Sequence, residues 1–197
     1  MAESVVQRSA GPGARCSCGS GARPVTGGQY VGSQTEQPLW RVDPAVSKIW
    51  FEARWMFGIF TAIGVFECFD GWASMQDDGS LLGELTIDPA SVNTGNRLRD
   101  HDLQNRFFLD SANFPVIRFS SQDVTVTSRT ITGTGRLSVR GRSIDVPVHG
   151  TARVDADHLT MSGSATLDIR QFGWLSALGY IRRSLVINGA LSLGRHE

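Results

Sequence analysis

Residues 130–169 read TITGTGRLSVRGRSIDVPVHGTARVDADHLTMSGSATLDI, and their alternation decides the fold. Ile131, Gly133, Gly135, Leu137 and Val139 share one phase, and Arg140-Gly141 then turns the chain. Ile144, Val146, Val148, Gly150, Ala152 and Val154 alternate with polar residues up to the turn at Asp155-Ala156-Asp157. Leu159, Met161, Gly163, Ala165, Leu167 and Ile169 repeat the pattern against Thr, Ser and Asp. A period of two is that of a strand with one buried face. Tight turns between such runs make neighbours antiparallel.

The pattern extends both ways. Leu185, Ile187, Gly189, Leu191 and Leu193 form a last strand after a break at Phe172-Gly173-Trp174. Upstream, Leu39 to Asp43 is a short opening strand ended by Pro44. Ser47 to Trp55 places Ile49, Phe51, Ala53 and Trp55 on one face, with Trp50 the apolar exception on the other. Met56 to Ile63 is apolar and irregular, which predicts a loop or short helix. Gly64 to Ser74 returns to strand, and the Phe66/Phe69 spacing predicts a bulge near Cys68. Asp77-Asp78-Gly79 is a hairpin turn before Leu81, Gly83, Leu85 and Ile87, and Ile117 to Phe119 and Val124 to Val126 follow later.

Eight or nine one-faced strands without long crossovers predict an all-β antiparallel barrel rather than a sandwich. The inward glycines permit coiling and leave room inside, and an eight-stranded barrel is just wide enough to hold one ligand. The same glycines would also suit a tightly filled core.

One segment departs from the pattern. Val92 to Phe119 holds Arg97, Arg99, Asp100, His101, Asp102 and Arg106, then Phe107, Phe108 and Phe114-Pro115. Asn93 or Thr94 could cap a helix over about 96–106, on which Asp102 and Arg106 stand four apart and can pair. This helix/loop insertion, about 93–115, would cover one end of the sheet. Its charges read either as a locally paired surface helix or as Arg99 or His101 turned inward to a polar head group.

The chain has 197 residues and a formal net charge of zero, with Lys48 its only lysine. That suits one domain with a sizeable core and shows no electrostatic footprint for nucleic acid. Residues 1–38 are rich in Gly, Ser and Gln, carry Pro12, Pro24 and Pro38, and predict a disordered extension before a domain over 39–197. Cys16, Cys18 and Cys68 are not a disulfide framework, and no second Cys/His pair completes a metal site with Cys16-x-Cys18. Cys68 reads as a small buried strand residue. No apolar run is long enough to span a membrane, and no secretory core precedes the domain, so the expected location is cytoplasmic. There is no G-x-S-x-G, H-E-x-x-H or phosphate loop, which disfavours an enzyme.

An ordered series of motifs resembles the YceI-like family of lipocalin-like polyisoprenoid-binding proteins. It begins with Trp40-x-Val42-Asp43, Ser47-x-Ile49-x-Phe51 and Gly64-Val65-Phe66 with Phe69. It is strongest at Ile87-Asp88, Ser91-Val92-Asn93-Thr94-Gly95-Asn96, Arg99-Asp100-His101-Asp102-Leu103, Phe107-Phe108, Phe114-Pro115 and Phe119. Gly135-x-Leu137, Arg140-Gly141 and Phe172-Gly173 complete it. The resemblance implies an extended eight-stranded barrel around an apolar tunnel, binding a long isoprenoid or quinone lipid without catalysis and with no cofactor required. It also implies a homodimer, and Trp50 is the one local hint of a contact surface. The chain would lie along Phe51, Trp55, Leu85, Ile87, Phe119, Leu137, Leu167 and Ile187. Phe107, Phe108 and Phe114 would close an end, Phe172 would also contact the ligand, and Arg99 or His101 would meet the head group. Relatives often have a histidine near Trp55 and an arginine three residues before Phe-Gly. Here the first is absent and the second is Ile169, with Arg170 one step later. Two alternatives stand beside the carrier: an enzyme for a small amphiphile, with His101 and Asp100 or Asp102 as acid–base pair, and a barrel filled by its own side chains.

Overall fold

The computed structural model describes residues 39–55, 60–155, 157–174 and 181–196, with only the backbone for Trp55, Ile181, Arg182, Arg183 and His196. The expected disordered extension, 1–38, lies outside the described residues.

The strands are β1 (Leu39–Val42), β2 (Lys48–Trp55), β3 (Phe60–Phe66), β4 (Phe69–Met75), β5 (Leu81–Ile87), β6 (Val92–Asn93), β7 (Ile117–Thr127), β8 (Thr130–Val139), β9 (Arg142–Val154), β10 (His158–Asp168) and β11 (Ile181–His196). One helix, α1 (Arg97–Gln104), separates β6 from β7. All strand pairs are antiparallel, and β1 pairs both β4 and β11, which closes an eight-stranded barrel.

Among the described residues, eleven strands fill eight positions because three long strands are each interrupted once. β1 and β2 run successively along β11, β4 and β3 flank them, and β5 and β6 flank those in turn. The interruptions, 43–47, 67–68 and 88–91, are stitched together by hydrogen bonds. Asp88 N donates to Cys68 O (2.9 Å), Cys68 N to Ser91 Oγ (3.0 Å), and Ser192 N to Ser47 Oγ (2.9 Å).

The break at 67–68 corrects the expectation of one bulged strand over 64–74. Phe66 and Phe69 are both buried because each belongs to its own strand, one on either side of Glu67-Cys68. Cys68 is therefore buried outside a strand, and it is disulfide-bonded, with no second cysteine among the described residues. The loop or helix expected over 56–63 is strand from Phe60 onward, and 56–59 lie outside the described residues. Ile169 is not the end of β10 but opens a 3-10 turn, Ile169–Phe172, whose Asp168 cap accepts from Arg170 N.

Two hairpins show why their turns are tight. Arg140 and Gly141 have φ of 51° and 71°, and Ser128 and Arg129 have 49° and 76°. Positive φ at both central residues matches the twist of the flanking strands. In β7 the register shifts between Ser121 and Asp123, a bulge that bends the strand into the barrel wall.

Candidate functional site

The barrel encloses a cavity of about 300 Å3 whose wall is apolar over nearly all its area. It reaches from Leu81, Val124 and Ile131, beside the β4–β5 and β7–β8 turns, to Phe108, Phe172 and Trp174 at the opposite end. The strands supply the wall through their inward phase, as alternation requires. Two rings border the lumen above glycines of neighbouring strands. A Cβ at Gly64 would lie 2.3 Å from Phe51 Cζ, and one at Gly135 would lie 2.2 Å from Phe119 Cζ. Met161, Ala165, Leu185, Ile187 and Leu191 pack against the core yet are only half-buried, and each also borders the cavity.

The end at Phe172 is built by three segments that meet. Trp174 Nε1 donates to Phe108 O (2.6 Å), and the Trp174 ring tilts against Phe172 at 5.3 Å. Arg140 donates to Arg106 O (2.9 Å), so the β8–β9 turn holds the loop after α1. Phe172 is 2 % exposed.

Helix α1 is capped by Asn96, whose Oδ1 accepts from Leu98 N (3.1 Å) and Arg99 N (3.2 Å). The expected caps were Asn93 and Thr94, and the helix was expected to run to about 106. Asn93 instead closes a turn onto Gly95 N, and Thr94 binds both Asp100 and Arg99. Arg99 Nε donates to Thr94 Oγ1 (2.8 Å) and its Nη2 to Thr94 O (2.9 Å). Its guanidinium thus fastens the start of the helix to Thr94, the residue that follows β6. The four ion pairs among the described residues all lie elsewhere, so the Asp102–Arg106 pairing does not form. Asn96→Ala should cost about 1 kcal/mol, the usual worth of an N-cap, measured by chemical denaturation.

Nine of the fourteen residues named from sequence border the cavity: Phe51, Leu85, Ile87, Phe108, Phe119, Leu137, Leu167, Phe172 and Ile187. Four do not. Arg99 is held by Thr94, His101 is exposed on α1, Phe107 is 67 % exposed with Arg106 over its ring, and Phe114 packs beside Gly141. The side chain of Trp55 lies outside what is described. Sequence reading passed over Leu103, Leu109, Ile169 and Trp174, which also border the cavity. Trp174 was visible only as part of a strand break.

Ile169 occupies the inward place and is buried, whereas Arg170 is exposed and bound to Asp168. The Asp168 hydrogen bond, with its charge, raises the Arg170 pKa above the ordinary arginine value. Trp50 lies on the outer face, where its Nε1 donates to Glu52 (3.4 Å) and Lys48 sits 5.6 Å over its ring. Among the described residues, no three His, Cys, Asp or Glu side chains converge on a metal position, and no helix is long and apolar enough to cross a membrane.

This geometry has known counterparts. The YceI-like domain model matches residues 40–193, and the chain belongs to that family. BcnA of Burkholderia cenocepacia is similar in structure, with TM-score 0.68 and 19 % identity over 77 % of this chain and 98 % of that one. So is a polyisoprenoid-binding domain from Saccharophagus degradans implicated in plant cell wall breakdown (TM-score 0.63, 14 % identity, 80 % and 98 % covered). The YceI protein of Campylobacter jejuni aligns at TM-score 0.60 and 20 % identity, over 68 % and 85 %. No curated protein sequence matches significantly. At these identities the solved structures establish the shared fold.

Proposed function

We propose that this protein is a non-catalytic carrier that encloses the chain of a long isoprenoid or prenyl quinone. The observation that carries this reading is the continuous apolar cavity along the barrel. Its volume, about 300 Å3, is at the small end for ligand sites and suits a slender chain. Each buried CH2 contributes about 0.8 kcal/mol, so each five-carbon unit contributes on the order of 3–4 kcal/mol before entropic losses. Affinity then comes from chain length, and the head group sets orientation. The polyisoprenoid-binding description of the Saccharophagus degradans domain supports the same ligand class.

The alternatives fit less well. An acid–base pair needs an imidazole facing the substrate, and His101 is exposed and borders no part of the cavity. A barrel filled by its own side chains would have no such cavity.

Trp174 borders the lumen, so quinone uptake by delipidated protein is measurable as quenching of indole emission. Saturable quenching by a prenyl quinone is the expected result, and no quenching at any concentration would overturn the reading. His101→Ala should leave the titration within about twofold of wild type, because the side chain touches no ligand surface.

A further inference from the structure

Among the described residues three glycines border the cavity, and two of them are fixed by their surroundings. A Cβ at Gly83 would come 2.9 Å from Trp72 O, and one at Gly163 would come 3.1 Å from His149 O. Gly189 differs. It lies in β11 between Gly163 of β10 and Ile49 of β2, its φ is not in the left-handed region, and an added Cβ would meet nothing among the described residues within 4 Å. Any residue could adopt this backbone, and the space for a side chain is already there. Glycine in a strand interior costs about 0.5–1 kcal/mol relative to alanine. The fold therefore gives no reason for glycine here, and would be steadier with a side chain.

What a side chain would remove is lumen. Gly189 stands midway in the part of β11 that borders the cavity, between Leu185 and Leu193. At about 3.4 Å per residue, some 14 Å of strand lie on either side. Ile187 and Leu191 flank it in the same inward phase.

We infer that Gly189 sets how deep a ligand chain can reach, as the point left free of side chain halfway along the tunnel. The inference rests on the carrier reading and adds a determinant of chain length to it. A side chain at 189 divides the lumen, so short chains still fit in one half and long chains do not.

The test titrates wild type, Gly189→Ala and Gly189→Leu with a short-chain and a long-chain prenyl quinone. Circular dichroism confirms the fold of each. Gly189→Leu is expected to lose more than about tenfold in long-chain affinity, or 1.4 kcal/mol, while short-chain affinity stays within about twofold. Gly189→Ala should shift the same ratio by less and melt no lower than wild type, so the effect is readable even if the leucine variant folds poorly. Wild-type binding of both quinones with an unchanged length preference in the variants overturns this inference alone. Equal loss for both lengths also overturns it. Failure of wild type to bind either quinone overturns the carrier reading, and this inference with it.

Discussion

Gly133→Ala is expected to destabilise the barrel by about 3–5 kcal/mol, combining left-handed backbone strain with overpacking. Gly133 sits in β8 opposite Val124, one pair beyond the β7 bulge, with φ of 147°. An added Cβ would lie 1.9 Å from Asp123 O and 2.6 Å from Val124 Cα, all backbone. Flexible side chains can move aside, but these atoms are fixed by the strand ladder. Relief requires undoing the bulge, and the bulge bends β7 into the closed wall. A large drop in the urea midpoint, or failure to fold, is the expected outcome. Unchanged stability would show that the register shift is not needed for closure. Gly189→Ala gives the opposing result on the same sheet, since it adds a carbon into open space.

Ile187→Glu is expected to lower affinity for a long-chain quinone by more than about 100-fold at neutral pH. Ile187 borders the lumen beside Gly189, and the wall offers almost no polar partner to a carboxylate. Burying an unpaired polar group costs several kcal/mol, and an ion costs more. The carboxyl must keep water in the lumen or take a proton, and either cost is charged against an apolar ligand. Desolvation raises the pKa of such a group, so its neutral form returns as pH falls. Binding should recover partly at acid pH in Ile187→Glu and should not recover in Ile187→Lys. Thr166→Glu, on the exposed outer face of β10, is the control and should bind like wild type. Equal effects of the inner and outer substitutions would contradict a ligand inside the barrel.

The alternating runs made β8, β9, β10 and the main part of β11 legible from sequence, because each has one buried face and an ordinary turn. Less was legible where three strands break together. The three-residue step from Phe66 to Phe69 fits a bulge or a break equally well, and pairing partners far along the chain decide between them. The helix cap went to Asn96 because Thr94 was already engaged by Asp100 and Arg99, a competition spacing does not show. At the site, alternation identifies inward residues but not what fills the space above them. Three inward glycines show this: Gly135 lies under Phe119, Gly150 would press a Cβ against Ser162 O, and Gly189 opens on empty lumen. Phe107 and Phe108 are adjacent, and only the second borders the cavity.

The central claim is that an apolar chain occupies this lumen in the native protein. Mass spectrometry of a solvent extract from natively purified protein tests it most directly. A stoichiometric isoprenoid or prenyl quinone, lost from Ile187→Glu purified in parallel, is the predicted result. A wild-type protein that emerges lipid-free, and takes up no prenyl quinone afterwards, would contradict it.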